Sequence, residues 1–205
     1  MESYLSEKII KRLTLYHFIL DDCEDNGLEY ISSPRIAELL GIDNSQVRKD
    51  IKFVNHTGKC KIGYKVSELK KGIEILLGFQ KNKDAFIIGA GNLGTALIKY
   101  DDLKNYGLNI LAAFDIAVAE PVASPKGKYI YPVSELDSFC SEHNARIGII
   151  AVPAEAAQQA CNELYNAGIK MMLCLAPCKL IPPNDTIIRY ENIAQSLAVL
   201  KAQSL

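Results

Sequence analysis

A glycine-rich turn near the middle of the chain has the spacing that binds a nucleotide pyrophosphate. The apolar run Ala85–Ile88 leads directly into Gly89, Ala90, Gly91, Asn92, Leu93 and Gly94, and a helical pattern follows. In such a strand–turn–helix unit, the first glycine makes the tight turn, the second admits the phosphates, and the third lets helix and strand pack closely. The amides at the start of the helix would hold the negative charge. These six residues are therefore predicted to form a dinucleotide site.

An acidic residue at the end of the next apolar run supports this interpretation. Asp115 follows Ile110–Phe114, about 20 residues after the last glycine. A carboxylate at this position accepts hydrogen bonds from the ribose hydroxyls and repels a 2′-phosphate. We therefore predict NAD(H) rather than NADP(H) as the cofactor. A Rossmann fold that no longer binds a nucleotide is the alternative, because glycine-rich turns alone are common.

A second group of residues has the composition that binds a polyanion. Six basic residues and one acid, Asp50, lie between Asn44 and Lys65, although the net charge of the whole chain is only −1. A predicted helix in this segment presents amide and guanidinium groups that can read base edges, and ammonium groups that can contact phosphates. Its outward residues are Ser45, Gln46, Arg48, Lys49 and Lys52.

A basic turn follows this helix and would form a wing, with Lys59, Lys61 and Tyr64 facing the DNA backbone or minor groove. Helix, turn, helix and wing together predict a winged helix–turn–helix domain that binds double-stranded DNA. A small helical interaction domain is the alternative.

The elements that must position these residues follow from hydrophobic periodicity and turn signals. The first eighty residues are predicted to be helical, with one helix from about Ser6 to before Gly27. Three further helices are predicted to be capped by Ser33, by Asn44 or Ser45, and by Ser67. From Ala85 onward, short apolar runs alternate with helical stretches, which predicts an α/β fold with a doubly wound parallel sheet. The predicted domains are residues 1–80, residues 81–190, and a terminal helical segment, residues 191–205.

Composition excludes several other classes of protein. Apolar runs are shorter than the ~18 residues of a spanning helix, and the amino terminus has no signal-peptide pattern, so we expect a cytoplasmic protein without membrane contact. The six cysteines lack C-x-x-C spacing and are expected to be free thiols. The three histidines lack metal-ligand spacing, so no metal site is predicted.

Taken together, these motifs resemble the Rex family of bacterial redox-sensing transcriptional repressors. The matching stretches cover nearly the whole chain and include Lys11–Leu13, Gln46–Asp50, Gly63-Tyr64, Gly89–Gly94, Ala112–Asp115, Ala151–Gln158 and Ala176-Pro177. Several of these lie outside the glycine-rich motif that any dehydrogenase could share.

The resemblance implies a homodimer that exchanges its terminal helix and binds a palindromic operator. It further implies that NADH binding lowers DNA affinity, whereas NAD⁺ permits repression. The nicotinamide would lie near Val152, Pro153, Ala176 and Pro177.

The chain also departs from the family pattern. In the family, an arginine, a tyrosine and an aspartate link the cofactor to the DNA-binding domain; Tyr100 is present, but Phe18 and Asn192 occupy the other two positions. Because both charged partners are absent, the usual form of this switch cannot operate. Cys60 occupies the position of the wing arginine, and Cys174 that of an asparagine near the nicotinamide.

Two alternatives to an NADH-responsive repressor remain at this point. One is an NAD-dependent oxidoreductase, which is disfavoured because no general acid or base is evidently placed near the glycine turn. The other is a DNA-binding paralogue with weak or no redox switching.

Overall fold

The computed structural model describes residues 5–54, 56, 58–59, 62–143 and 145–203. The chain divides into two compact units, Met1–Lys81 and Asn82–Leu205.

The N-terminal unit is a small helical fold with a two-stranded sheet. Its elements are α1 (Glu7–Asp25), β1 (Tyr30–Ile31), α2 (Ser33–Leu40), α3 (Asn44–Ile51), β2 (Tyr64–Lys65) and α4 (Val66–Leu77), with a 3-10 turn at Lys52–Val54. Apolar side chains at three- and four-residue spacing fill its core, including Leu13 and Leu20 of α1 and Val47 and Ile51 of α3. Helix α1 therefore has nearly the predicted bounds, and its apolar face covers the helix–turn–helix.

The predicted helix caps were wrong by one or two residues. The observed N-cap positions are Ser32, Asp43 and Lys65, whereas the sequence predicted Ser33, Asn44 or Ser45, and Ser67. The Ser32 hydroxyl accepts a hydrogen bond from the amide of Arg35 at 3.3 Å, and the Asp43 carboxylate accepts one from the amide of Ser45 at 2.7 Å. In each case an earlier residue already has the extended backbone that a cap requires.

The wing is formed partly as predicted. Lys59 and Gly63 form an antiparallel bridge, and the adjoining β2 pairs antiparallel with β1, a strand that the sequence did not predict. Gly63 has φ +114°, and a Cβ atom there would lie 2.4 Å from the carbonyl oxygen of Ile31, so only glycine fits. Cys60 and Lys61, which the sequence places in this turn, lie outside the described residues.

The C-terminal unit is built on a seven-stranded sheet. Its strands are β3 (Lys83–Ile88), β4 (Leu108–Asp115), β5 (Val122–Ser124), β6 (Lys128–Pro132), β7 (Ile147–Ile150), β8 (Met171–Cys174) and β9 (Ile187–Tyr190). The spatial order is β5-β6-β4-β3-β7-β8-β9, and all neighbours are parallel except β5 and β6. Without the edge strand β5, this is the order of a dinucleotide-binding doubly wound sheet, which confirms the predicted fold class.

Helices of this unit connect the parallel strands or follow the last one. They are α5 (Asn92–Ile98), α6 (Leu136–Glu142), α7 (Ala154–Asn166) and α8 (Ile193–Gln203). The central strand β3 buries Ala85–Ile88 on both faces of the sheet, with Phe86 in one core cluster and Ile87 in the other. A strand buried on both faces loses the polar–apolar alternation, which explains its continuous apolar sequence.

Helix α8 differs from the other long helices because it has no buried residue. Its apolar side chains Ile193, Leu197, Val199 and Leu200 are all more than half exposed. Among the described residues, no helix is both long enough and apolar enough to cross a membrane.

Candidate functional site

The predicted nucleotide residues meet at one edge of the parallel sheet. Strands β4, β3, β7 and β8 are successive neighbours in the sheet, so their carboxyl ends lie side by side. Asp115 is the last residue of β4, and the ends of β3, β7 and β8 are followed by the turn Gly89–Gly94, by Val152-Pro153 and by Ala176-Pro177. The sheet order also reverses between β3 and β7, where doubly wound sheets bind their ligands.

Two of the three glycines in the turn are required by close backbone contacts. Gly89 has φ +101°, and a Cβ atom there would lie 2.5 Å from the carbonyl oxygen of Ala151. At Gly94, a Cβ atom would lie 1.9 Å from the carbonyl oxygen of Gly89. At Gly91, by contrast, a Cβ atom would meet nothing within 4 Å. Gly91 therefore leaves open space beside the backbone, which fits the close approach of a phosphate.

A cavity of about 260 Å³ opens beside this turn. Gly89, Gly91, Asp115, Val152 and Pro153, all predicted site residues, contribute to its lining. Residues outside the predicted set complete the lining, namely Ile88, Ile116, Val133, Ala151, Ala156, Gln159, Ala160 and Glu163. The apolar lining with a few polar groups is typical of a cofactor site.

Some of the predicted site residues do not line this cavity. Ala90, Asn92, Leu93 and Gly94 build the turn and the first residues of α5 and do not line the cavity. Ala176 and Pro177 line a second, more open pocket near Tyr190 and Asn192.

Asp115 has a structural role besides the predicted one. Its carboxylate accepts hydrogen bonds from the amide of Ala90 at 2.7 Å and from the amide of Ala117 at 2.9 Å. The first of these bonds ties the glycine turn to the end of β4. A carboxylate has about four acceptor positions, so Asp115 retains capacity for ribose hydroxyls at the cavity wall.

Two of the three residues at the switch positions that the family resemblance implies are exposed. Phe18 on α1 is 55% exposed, and Tyr100, which follows α5, is 52% exposed. The side-chain oxygen of Asn192 accepts a hydrogen bond from the amide of Gln195 at 3.1 Å. Asn192 therefore caps α8, a task that asparagine and aspartate perform equally well.

Helix α3 presents most of the predicted DNA-contacting side chains to solvent. Ser45, Arg48 and Lys49 are exposed, as is Lys52 directly after the helix. Gln46 was predicted to point outward, but its side-chain amide donates a hydrogen bond to Asp50 at 2.9 Å. Four of the five predicted residues of this helical segment are thus exposed, and three of them, Arg48, Lys49 and Lys52, form a basic surface.

The wing and the start of α2 adjoin this surface. The guanidinium of Arg48 donates to the hydroxyl of Ser33 at 3.2 Å, and both residues line a polar pocket with Lys59 and Tyr64. The ammonium of Lys59 donates to the Tyr30 hydroxyl at 2.9 Å, and this hydrogen bond raises the pKa of Lys59. The wing therefore carries a cation at neutral pH.

A buried ionic network, which the sequence did not predict, fixes α3 against α1. Asp50 is 1% exposed and accepts two hydrogen bonds from Arg12, at 2.6 and 2.8 Å, and one from the Tyr16 hydroxyl at 2.7 Å. Burial alone would raise the pKa of Asp50, but its hydrogen bonds to Arg12, Tyr16 and Gln46 bring it below the usual value. The signal in the sequence was the position of Asp50, three residues from Val47 and therefore on the apolar face of the helix.

The pKa of Tyr16 is shifted in the opposite direction to that of Asp50. Burial and its hydrogen bond to the Asp50 carboxylate raise the pKa of Tyr16 far above that of a free phenol. The phenol thus remains a hydrogen-bond donor to Asp50 at neutral pH.

The cysteines and histidines add no further site within the described ranges. In these ranges, no group of three or more His, Cys, Asp or Glu residues is arranged to hold a metal ion. Five cysteines that they contain are free thiols: Cys23, Cys140, Cys161, Cys174 and Cys178.

Comparison with known families agrees with this two-part organisation. The family described as "CoA binding domain" matches residues 80–178, and the one described as "Putative DNA-binding protein N-terminus" matches residues 4–51. Fold and site together define a chain that joins a DNA-binding unit to a Rossmann-type nucleotide-binding unit.

Individual relatives extend the match to nearly the full chain. The redox-sensing transcriptional repressor Rex of Thermosipho africanus is 38% identical over 192 residues, which cover 92% of each chain. Rex 1 of Thermotoga maritima is 38% identical over 98% of this chain and 96% of its own. Among solved structures, RSP in complex with beta-NAD+ and operator DNA has a TM-score of 0.88 and 30% identity, covering 98% of this chain and 93% of that one. The chain belongs to the Rex family of redox-sensing transcriptional repressors.

Proposed function

We propose that this protein is a DNA-binding transcriptional repressor that binds NAD(H) and releases a palindromic operator when NADH binds. The observation that carries the proposal is the match over 98% of the chain to a repressor structure that holds both beta-NAD+ and operator DNA. The two parts that such a repressor needs are both present, namely an open glycine turn and an exposed basic helix.

The nucleotide would be held mainly by backbone and by one carboxylate. The open space at Gly91 fits the pyrophosphate, and Asp115 would accept hydrogen bonds from the adenosine ribose and repel a 2′-phosphate. Val152, Pro153, Ala176 and Pro177 at the ends of β7 and β8 would lie on the nicotinamide side. In this function the nucleotide is a signal, and no hydride transfer is required.

The DNA contacts would come from α3 and the wing. Arg48, Lys49 and Lys52 supply three exposed cations over little more than one helical turn, and Lys59 supplies a fourth beside the wing. Arginine suits base edges and phosphates, whereas lysine contacts phosphates as a point charge. Ser45, Tyr64 and the wing residue Lys61 would complete the interface, and Gln46 would act indirectly through Asp50.

A second copy of the chain would cover α8. Four apolar side chains of this helix are more than half exposed, and an exposed apolar helix face commonly marks a protein–protein interface. A twofold homodimer with an exchanged terminal helix would present two copies of α3 to the two half-sites of a palindrome.

Coupling between the two sites must differ from the ion-pair switch that the family resemblance implies. Phe18 is apolar and Asn192 is a neutral helix cap, so neither side chain carries a charge that could form or break an ion pair. This observation favours a second candidate function, in which the chain binds DNA and nucleotide with weak redox switching.

Selection of DNA from a random duplex library tests the proposed function and identifies the operator in the same experiment. The full-length protein should enrich an inverted repeat, and binding to that repeat should weaken when NADH is added. A Lys49→Ala variant provides the control, because it should lose enrichment while it retains NADH binding. Failure of the wild-type protein to enrich any symmetric sequence would contradict the proposal.

A further inference from the structure

One face of α7 lines the nucleotide cavity. Ala156, Gln159, Ala160 and Glu163 contribute to the lining, and their spacing of three and four residues puts them on a single face of the helix. The first and third of these residues are small and apolar. Gln159 and Glu163 are polar and form a pair, in which the side-chain amide of Gln159 donates to Glu163 Oε1 at 2.9 Å.

The position of this pair indicates which part of a dinucleotide it would meet. The glycine turn would hold the pyrophosphate, and Asp115 would hold the ribose, so the purine base must extend beyond Asp115. The apolar side chains Ile116, Val133 and Ala156 line the same cavity as Asp115, and apolar walls suit the faces of a flat ring. The polar pair lines this cavity as well, so it is available to an edge of the base.

The pair offers acceptors and a negative charge to that edge. With one Glu163 oxygen bound to the amide of Gln159, the other Glu163 oxygen and the Gln159 carbonyl oxygen accept no further hydrogen bond in the described part of the chain. At position 6, adenine carries an amino group with two donor hydrogens, one for each of these acceptors. Hypoxanthine carries there an oxo group, an acceptor that a carboxylate repels, and its own donor, N1–H, lies at the neighbouring ring position.

We propose that Gln159 and Glu163 form an acceptor edge that selects a 6-aminopurine over a 6-oxopurine in the dinucleotide. This inference rests on the proposed binding of NAD(H) and assigns to the site a specificity that neither the glycine motif nor Asp115 provides.

The test compares NADH with its 6-oxo analogue, nicotinamide hypoxanthine dinucleotide in reduced form. Titration of the full-length protein, followed by reduced nicotinamide fluorescence, gives both dissociation constants in one assay. NADH should bind about tenfold more tightly, which is the effect expected for one hydrogen bond to a charged group at a partly exposed site.

Two substitutions at one position and a matched control assign the selectivity to this pair. Glu163→Leu should bring the affinity ratio close to one, because the charged acceptor is removed. Glu163→Gln should shift the affinity ratio further toward the 6-oxo analogue, since an amide can donate a hydrogen bond to an oxo group. Glu155→Gln removes one carboxylate from the exposed first turn of the same helix and should leave the ratio unchanged.

The outcomes separate this inference from the proposed function. If the wild-type protein binds both dinucleotides with equal affinity, or if Glu163→Leu keeps the tenfold ratio, the acceptor edge is refuted while NAD(H) binding stands. If the wild-type protein binds neither dinucleotide, the proposed function fails, and the acceptor edge fails with it.

Discussion

Replacing Arg12 with leucine should destabilise the N-terminal unit and misplace the helix that carries the proposed DNA contacts. Arg12 on α1 donates two hydrogen bonds to the buried carboxylate of Asp50 on α3. Leucine keeps much of the aliphatic bulk but removes both bonds and the positive charge. The carboxylate would retain only its hydrogen bonds from Tyr16 and Gln46.

The size of the effect follows from the burial of the two partners. Removing one partner of a fully buried ion pair costs about 3–5 kcal/mol. Here Asp50 is 1% exposed and the Arg12 side chain 23% exposed, so part of the guanidinium is already hydrated. We therefore expect a loss of about 2–3 kcal/mol in the free energy of unfolding of this unit. For a unit of this size, that loss corresponds to a decrease of roughly 8–24 °C in the melting temperature.

Urea denaturation followed by circular dichroism measures this loss directly. Arg35→Leu is a matched control, because Arg35 pairs with Glu38 on the surface, with side chains 54% and 69% exposed, and should cost less than about 1 kcal/mol. NADH affinity should be unchanged in both variants. An Arg12→Leu variant as stable as the Arg35→Leu control would refute the argument that the Asp50 network anchors α3.

The same network predicts a pH dependence with a definite sign. Because hydrogen bonds lower the pKa of Asp50 in the folded chain, its contribution to stability is fully present above the unfolded pKa of about 3.9. That contribution is lost as the pH falls through the lower folded value. The stability difference between wild type and Arg12→Leu should therefore be constant near neutral pH and shrink below about pH 4. A difference that grows on acidification would contradict the assignment.

Three further predictions address the two sites. Lys49→Ala should weaken DNA binding and reduce the slope of log affinity against log salt concentration by about one, because one phosphate contact is lost. An unchanged slope would exclude such a contact. Gly91→Ala should fold normally but lose dinucleotide binding. Gly94→Ala should instead destabilise the C-terminal unit, because a Cβ atom at position 94 would lie 1.9 Å from a backbone oxygen. Equal melting temperatures for the two variants would contradict this distinction. Asp115→Ala should reduce the preference for NADH over NADPH in fluorescence titrations. Asp115→Asn keeps an acceptor for the Ala90 amide, so it should show whether the effect comes from the lost charge or from a loosened turn. An unchanged preference in both variants would contradict the proposed role.

Much of the fold could be predicted from the sequence because its main signals are local. Helix α1 has a long apolar stripe, and strands β3, β4, β7 and β8 are continuous apolar runs. The elements that were missed lack such patterns. Strand β9 lies at an edge of the sheet with Ile187 and Tyr190 exposed, so its sequence resembles a loop. Strand β1 has only two residues and depends on pairing with β2, far along the chain.

The candidate nucleotide site was predictable to the extent that its parts are contiguous. The turn Gly89–Gly94 carries its own signature, and Asp115 follows at a fixed distance. The presence of Glu163 in the cavity lining was not predictable, because it depends on how α7, the crossover helix between β7 and β8, is placed beside the cavity. The Asp50 network was missed for a similar reason, since Arg12 and Asp50 come together only when α1 packs on α3.

Binding of the full-length protein to its selected DNA repeat, titrated separately with NADH and with NAD⁺, tests the central claim most directly. A ligand shifts the DNA-binding population only through its differential affinity for the free and DNA-bound states. We predict that NADH weakens DNA binding at concentrations where NAD⁺ leaves it intact. Equal responses to the two nucleotides, or no response to either, would contradict redox sensing by this chain.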